Sequence, residues 1–284
     1  MSVPRLLSVC AVALALLAGC SSKKDTYVEK PVDELYNDAM DRLDAGDYVE
    51  ASKAFDEVDQ QHPNSVWATK AQLMGAYALY KGTKDDEAVV ALDRFIQLHP
   101  AYKDTPYAYY LKALCYYEQI ADVQRDQKIT LEALGALQEV INRFPNSRYA
   151  RDARFKLDLV RDQLAGKDLA IGRFYQSRHQ YLAAINRYRD VIDHYQTTTQ
   201  IPEALHRLIE CYTALGLADE AHKTAAVLGY NYPSSDWYAD SYGLVQASAT
   251  SGPKGSEPVD GSAEPAAAKP DSGSGWFGWV PWPF

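Results

Sequence analysis

Apolar residues recur along the chain at the spacing of one helical face, and the same arrangement returns five times. In the first instance Ala51, Ala54, Phe55 and Val58 stand at positions i, i+3, i+4 and i+7, the spacing of an amphipathic helix. Pro63 follows twelve residues after the first alanine and cannot continue that helix. The other four instances begin at Ala88, Ala133, Ala184 and Ala221. Three of these four also have a proline at the same offset, which predicts a repeated helix with a common end.

Each repeated helix is preceded by a second apolar stripe, so the repeating unit is a pair of helices. Before the first instance this stripe consists of Leu35, Ala39 and Leu43. A small residue early in the second helix, a larger one four residues on and a proline twelve residues on resemble the tetratricopeptide pattern, whose period is about 34 residues. We therefore predict an all-α fold, a tetratricopeptide-type helical solenoid of about five repeats spanning residues 32–246. The alternative is a generic all-helical bundle.

The repeats are unevenly spaced, and the irregularities identify two insertions. The marker alanines are separated by 37, 45, 51 and 37 residues. The spacing of 45 comes from extra residues at 119–130, which form either a binding edge or a tolerated insertion. The spacing of 51 comes from a further helical stretch that begins after Ser147, a good N-cap residue, and resumes beyond Gly166. We expect one long helix here, either straight or bent at Gly166.

The amino terminus has the features of an exported, lipid-anchored protein. Arg5 precedes an apolar run that is too short to remain as a membrane-spanning helix. The run ends in Leu-Ala-Gly-Cys, which resembles the bacterial lipobox, so residues 1–19 are predicted to be a signal peptide and Cys20 the lipidated residue. Residues 20–31 would be a polar tether, and Ser21 favours delivery to the outer membrane. The alternative is an ordinary secretory signal with an incidental cysteine.

The composition changes at the other end of the chain. Residues 247–275 are rich in serine, glycine, proline and alanine, which predicts disorder. Residues 275–284 then contain three of the five tryptophans of the chain. Tryptophan favours membrane interfaces and partner pockets. This tail is therefore a tethered docking peptide, a second membrane contact or an adventitious apolar terminus.

Charge and the absence of catalytic motifs exclude several classes of function. The 29 basic and 38 acidic residues give a net charge of −9 without a basic stripe, which argues against a nucleic-acid partner. The six histidines show no metal-binding spacing on a helix, and no phosphate-binding loop or nucleophile motif is present, so we predict no enzyme activity, metal or cofactor. Cys115 and Cys211 are expected to be buried hydrophobic residues, with a disulfide as the less favoured alternative.

The first helices of the repeats carry a row of tyrosines that would suit an extended peptide. In the tetratricopeptide arrangement these helices line the concave face, and each tyrosine offers a large ring with a polar tip. The predicted groove residues are Tyr36, Tyr77, Tyr80, Tyr107, Tyr110 and Tyr117. The alternative is that these rings pack between helices. Arg187 occupies a slot held by alanine in the first three repeats, so its charge either extends into solvent or reaches a partner's carboxylate.

The lipobox together with these repeats resembles the BamD family of outer-membrane assembly lipoproteins, also called ComL-like. Three stretches carry the likeness: LDRFIQLHP at 92–100, YYEQI at 116–120 and RFPNSRY at 143–149. The resemblance covers residues 15–245 and leaves the tail out. It implies a non-enzymatic scaffold of the β-barrel assembly machinery, lipid-anchored on the periplasmic face of the outer membrane.

The resemblance also implies partners and the regions that bind them. The amino-terminal repeats would bind the targeting strands of unfolded outer-membrane protein precursors, and the tyrosine groove would be the site that binds these strands. The carboxy-terminal repeats would bind a POTRA-bearing barrel subunit, and the surface around Arg187 would be the site of this contact. Other assembly lipoproteins would complete the complex. The competing interpretation is a periplasmic repeat lipoprotein that coordinates peptidoglycan synthesis or cell division.

Overall fold

The computed structural model describes the backbone of residues 29–250 and the side chains of residues 29–246. The predicted signal peptide, Cys20 and residues 251–284 of the tail lie outside this range, and so do the expectations about them. The described chain forms eleven α-helices: α1 (Val32–Ala45), α2 (Tyr48–Gln61), α3 (Val66–Lys81), α4 (Asp85–Leu98), α5 (Thr105–Glu118), α6 (Lys128–Arg143), α7 (Arg148–Ser177), α8 (Tyr181–His194), α9 (Ile201–Ala214), α10 (Ala218–Asn231) and α11 (Asp236–Thr250). Within residues 29–250, no helix combines the length and apolar content needed to cross a bilayer.

The helices stack as five consecutive pairs followed by α11, which confirms the predicted tetratricopeptide-type solenoid. The marker alanines Ala51, Ala88, Ala133 and Ala184 are completely buried, because each lies where a neighbouring helix approaches closely. The larger residue four positions on fills the adjoining groove and is also completely buried. These larger residues are Phe55, Leu92, Leu137 and Tyr188. The core therefore runs continuously between neighbouring repeats, as the apolar period requires.

The first helices of successive pairs lie side by side and run parallel. Tyr107, near the start of α5, contacts Tyr149 at the start of α7, whereas Tyr117, near the end of α5, lies against Lys156 two turns further along α7. In the same way α1 packs beside α3, and α3 beside α5. One layer of the solenoid is thus formed by α1, α3, α5, α7 and α9, and this layer holds the predicted tyrosines.

Local signals set the helix ends as expected. Ser65 and Ser147 cap α3 and α7, and their hydroxyl groups accept hydrogen bonds from the amides of residues 68 and 150 at 3.0 and 3.1 Å. The two histidines that precede the repeat proline end α2 and α4 and tie the turns to other helices. His62 Nε2 lies 2.7 Å from the Lys30 carbonyl oxygen, and His99 Nε2 lies 2.9 Å from Gln72 Oε1.

The expected long helix is present: α7 contains 30 residues and passes Gly166 without interruption. The extra residues before α6 form a loop that packs along this helix. Gln163 Nε2 donates a hydrogen bond to the Ala121 carbonyl oxygen at 2.8 Å, and Lys167 Nζ donates one to the Gln124 carbonyl oxygen at 3.1 Å. The loop is therefore held on α7 through its backbone carbonyl groups.

In the fourth repeat, which lacks the repeat proline, a carboxylate holds the turn that follows α8. Asp162 on α7 accepts hydrogen bonds from the Thr199 amide at 2.8 Å and hydroxyl at 2.6 Å, and from Gln200 Nε2 at 3.1 Å. These bonds hold the turn between α8 and α9, and Pro202 then occupies the first turn of α9, where the missing amide hydrogen is tolerated.

The last helix, α11, packs on both helices of the fifth pair and caps the solenoid. It continues to Thr250, so residues 247–250 of the predicted tail are helical, because the first glycine–proline pair comes only at 252–253. Cys115 and Cys211 are both free and buried, as expected. Burial raises the pKa of each thiol to about 12, so both remain neutral.

Candidate functional site

Tyr36 belongs to the core, contrary to its assignment to the groove. Its side chain is only 4% exposed and is wedged between Phe55 of α2, at a ring distance of 5.5 Å, and Trp67 of α3, at 4.8 Å. The Lys70 ammonium group lies over the same ring. The periodicity places Tyr36 on the first-helix layer correctly, but the side chains of the next repeat cover it.

The other five predicted tyrosines lie half-buried on α3 and α5. The rings of Tyr77 and Tyr80 are 6.4 Å apart on α3. On α5, Tyr107 and Tyr110 both meet the ring of Tyr149, at 5.5 and 5.3 Å, and the second pair is stacked. We call the resulting set the tyrosine surface. Its members are Tyr77, Tyr80, Tyr107, Tyr110, Tyr117 and Tyr149.

Tyr149 was not predicted to belong to this site, although a short sequence pattern marks it. It stands two residues after the capping Ser147, as Trp67 stands two residues after the capping Ser65. Each of these aromatic rings lies over a tyrosine of the preceding first helix. Trp237 has the same spacing from Ser235, and its ring lies 5.1 Å from the ring of His206 of α9, tilted by 37°. A serine followed by an aromatic residue two positions on therefore marks contacts between first helices.

Carboxylates orient the hydroxyl ends of two tyrosines. Tyr80 donates a hydrogen bond to Glu118 at the end of α5, and Tyr110 donates one to Asp152 of α7. Burial, followed by these hydrogen bonds, raises the pKa of both tyrosines, and burial raises the pKa of Tyr107 to about 12. The hydroxyl groups therefore stay protonated at physiological pH.

The same carboxylate links the tyrosines to a lysine. The hydrogen bond from Tyr110 lowers the pKa of Asp152, and the Lys156 ammonium group lies 3.2 Å from this carboxylate and 5.2 Å from the centre of the Tyr117 ring. The surface thus presents aromatic rings in fixed orientations, with both acidic and basic groups at its edge. Such a surface can bind an extended segment through ring contacts and hydrogen bonds.

Arg187 lies on α8, in the second-helix layer, and is not part of the tyrosine surface. Its guanidinium group forms ion pairs with Asp168 of α7 at 3.2 Å and with Asp190 at 3.7 Å, and its side chain remains 42% exposed. Burial raises the pKa of Asp168, and the charge of Arg187 partly offsets this effect. The charge thus extends into solvent and is paired within the chain, while the exposed part is open to a partner.

A charged pocket between α7 and α9 was not anticipated from the sequence. It has a volume of about 470 Å³, and its lining includes Arg173, Gln176, Tyr181, Arg207 and Glu210. Arg207 contacts Glu210 at 2.9 Å and Glu203 at 3.3 Å, and Arg173 contacts Glu203 at 3.2 Å. Glu203, Arg207 and Glu210 are four and three residues apart on one helix, and this spacing could have predicted the ion pairs from the sequence.

One carboxylate connects this pocket to the capping helix. Burial alone would raise the pKa of Glu210, but hydrogen bonds from His206, Gln176 and Arg207 lower it to about 2. His206 in turn is buried and lies 2.8 Å from the Ser241 hydroxyl group of α11. The described residues contain no cluster of His, Cys, Asp and Glu side chains that could hold a metal ion.

Comparison with known proteins identifies the family. The model of the YfiO family, described as outer membrane lipoprotein, matches residues 28–228. The outer membrane protein assembly factor BamD of Caulobacter vibrioides is 50% identical over 246 residues, which cover 85% of this chain and 81% of the relative. The chain belongs to the BamD family. A second BamD, from Rickettsia prowazekii, is 48% identical over 87% of this chain and 98% of its own length.

The match to the YfiO family model ends within α10, so α11 and the tail lie beyond that model. Among solved structures, the TPR2AB domain of yeast Sti1 in its complex with pHSP90 is similar with a TM-score of 0.41. It is 12% identical, and the match covers 77% of this chain and 84% of that one. The family assignment therefore rests on the sequence relatives and not on this structural likeness.

Proposed function

We propose that this chain is a non-enzymatic lipoprotein scaffold of the outer-membrane β-barrel assembly machinery. The observation that supports this role is the extensive identity to relatives named outer membrane protein assembly factor BamD. The tyrosine surface would bind targeting strands of unfolded outer-membrane protein precursors. The surface around Arg187 would bind the POTRA-bearing barrel subunit, and other assembly lipoproteins would complete the complex.

We further propose that Cys20 carries the lipid and anchors the chain on the periplasmic face of the outer membrane. The match to an outer membrane lipoprotein family supports this assignment, as does the Leu-Ala-Gly-Cys sequence at 17–20. More than one acyl chain is needed for stable anchoring, and a lipidated amino-terminal cysteine supplies this. Residues 20–31 would tether the solenoid to the membrane.

The tyrosine surface suits targeting strands because it offers aromatic rings and few flexible groups. An extended strand presents alternate side chains to one face, so a row of rings can bind successive aromatic residues. Because neighbouring rings and carboxylates already hold these tyrosines, little side-chain freedom is lost when a strand binds.

Replacing Tyr77 and Tyr110 together with alanine is expected to weaken binding of a targeting-strand peptide by roughly tenfold or more, because two ring contacts are lost. Fluorescence anisotropy with a labelled aromatic-rich peptide measures this. Tyr230→Ala is the matched control, since Tyr230 is 76% exposed on α10, away from the tyrosine surface. Unchanged affinity in the double variant, with far-UV circular dichroism preserved, would reject the tyrosine surface as the strand site.

Reversing the charge of Arg187 is expected to reduce the amount of POTRA-bearing subunit that co-purifies in mild detergent. Arg187→Glu would place a carboxylate beside Asp168 and Asp190, so Arg187→Gln should be examined with it, because glutamine removes the charge without this repulsion. Arg42→Glu is the control, because Arg42 is 43% exposed in a similar pair on α1. Normal recovery of the barrel subunit with both Arg187 variants would exclude Arg187 from this interface.

The same purification distinguishes the competing role. A POTRA-bearing barrel protein recovered in stoichiometric amount would support the assembly function. Cell-wall synthesis or division proteins recovered without a barrel protein would instead support a coordinating role in the periplasm, and the lipoprotein solenoid would remain as described.

A further inference from the structure

The amino-terminal half of α7 exposes two large apolar side chains one turn apart. Phe155 is 77% exposed and Leu159 is 58% exposed. Arg148 and Arg151 are also exposed, and they lie on the same stripe of the helix because residues three and four apart share a face. We call these four residues the α7 patch. The opposite face of the same turns is buried in the solenoid core through Ala153, Leu157 and Val160.

The α7 patch is exposed because α7 is twice as long as a repeat helix. In the described part of the chain, the hydrogen bonds and ion pairs that α8, α9 and the turn between them form with α7 lie at Asp162 or later. The polar contacts of the next repeat are therefore confined to the carboxy-terminal half of α7. In a solenoid each repeat covers a face of the one before it, whereas here Phe155 and Leu159 stay exposed.

The charges around the α7 patch favour an occupant with acidic and aromatic residues. The nearest carboxylates already have partners, because Asp152 pairs with Lys156 at 3.2 Å and accepts the hydrogen bond from Tyr110, and Asp158 pairs with Arg161 at 3.8 Å. Arg148 lies over the Tyr149 ring at 4.8 Å and donates a hydrogen bond to its hydroxyl group at 2.8 Å, whereas Arg151 is exposed, so both keep positive charge at the α7 patch of a chain whose net charge is −9. Guanidinium groups also bind tryptophan rings face to face.

The tail of the chain supplies the aromatic rings, and the segment that connects it to the solenoid supplies the acidic residues. Residues 275–284 contain three tryptophans and two phenylalanines and no charged side chain. The connecting residues 251–274 contain four acidic residues and two lysines, a net charge of −2. We propose that residues 275–284 dock on the α7 patch of the same chain, with tryptophan rings on Phe155, Leu159 and the two arginines.

The connecting segment is long enough for this contact. Twenty-four extended residues reach roughly 80 Å. The last described helix, α11, packs on α9, and α9 packs on α7. Two helix spacings of about 10 Å and the full length of α7, roughly 45 Å, lie within that reach. The YfiO family model matches residues 28–228 and does not reach the tail, so this contact goes beyond the proposed function and does not depend on it.

Photo-cross-linking of the full-length lipidated protein in detergent tests the proposal. A benzophenone amino acid in place of Phe155 keeps an aromatic ring in the α7 patch, and the control places it at Val90, which is 70% exposed on α4. We expect mass spectrometry to find cross-links from position 155, and not from position 90, to residues 275–284. Mixing isotopically light and heavy protein identifies which cross-links lie within one chain.

Several results would overturn the proposal. These are cross-links that join light to heavy chains, cross-links from position 155 only to detergent or lipid, and tail cross-links of equal yield from both positions. Two variants carrying the probe at position 155 test the chemistry separately. Arg151→Glu with Leu159→Glu alters the patch, and the triple variant Trp276→Ser, Trp279→Ser, Trp282→Ser alters the tail without touching the described fold. Each should lower the cross-link yield roughly tenfold or more, and an unchanged yield would also reject the contact.

Discussion

Gly172→Leu is expected to destabilise the packing within the fourth helix pair, between α7 and α8, by about 3 kcal/mol. Gly172 is buried on α7, and a Cβ atom there would overlap the ring of Tyr188, which is completely buried. The same ring extends along α7 to donate a hydrogen bond to Gln176 Oε1 at 2.6 Å. Leucine would therefore displace the largest fully buried side chain of the described core.

Thermal unfolding followed by circular dichroism measures this effect, and the transition of Gly172→Leu should fall by roughly 10 °C. Gly135→Ala is the control, because Gly135 is exposed within α6 and a Cβ atom there meets nothing within 4 Å. That change should stabilise the protein by about 0.5–1 kcal/mol through helix propensity alone.

A double variant distinguishes the ring contact from a general effect of the substitution. If the ring of Tyr188 is what the new atoms meet, Gly172→Ala should be less harmful in a Tyr188→Leu background than in the natural chain. Equal losses in both backgrounds, or a Gly172→Leu protein as stable as the natural one, would contradict the packing described for α7 and α8.

Glu210→Ala is expected to destabilise the last helix pair by about 2 kcal/mol, somewhat less than the loss for a fully buried ion pair, because the Glu210 side chain is 30% exposed. The carboxylate accepts hydrogen bonds from Arg207 and from Gln176, both at 2.9 Å, and pairs with His206 at 3.5 Å. Its removal leaves these three side chains without their shared partner between α7, α9 and α11.

The same carboxylate should make stability fall in acid. Its pKa is about 2 in the folded protein against a reference value of 4.5, so its stabilising contribution is complete above pH 4.5 and is lost as the pH falls from 4.5 towards 2. Urea unfolding at pH 7, 4.5 and 3 should show this loss in the natural protein. Glu210→Gln should have a shallower pH dependence over the same range.

Glu50→Ala provides the matched control for Glu210. The pKa of Glu50 is also lowered, by its hydrogen bond to Lys53, but the pair is fully exposed at the surface of α2. Its removal should leave the unfolding midpoint unchanged. A Glu210→Ala protein that behaves like Glu50→Ala at every pH would show that the α7–α9–α11 contacts do not depend on this carboxylate.

Both predictions concern the region that positions Arg187. Tyr188 follows Arg187 directly on α8, and Asp168, which pairs with Arg187, lies one turn before Gly172 on α7. A loss of packing at Gly172 should therefore also loosen the Arg187 ion pair. For this reason, co-purification of Arg187 variants should be interpreted together with their unfolding transitions.

The sequence by itself determined the helices, their pairing and their ends. The spacing of Ala51, Ala54, Phe55 and Val58 predicts a buried face because the helical period is a local property of the backbone. The capping serines and the repeat prolines act within a few residues of themselves, so they too could be interpreted without the fold. The same local pattern predicted a long helix at α7 but left its continuity at Gly166 open, which the structure decides.

Only the tertiary structure decided which side chains of these helices remain accessible. Tyr36 and Tyr77 occupy the same layer, yet Trp67 covers the first, whereas the second stays half-buried. Tyr110 and Asp152 are 42 residues apart, and no helical period relates them. Likewise, Phe155 is 77% exposed although it is a large apolar residue within α7. A helical pattern depends on residues that are close in the sequence. The burial of a side chain depends instead on how one repeat packs on the next, and local spacing does not encode that packing.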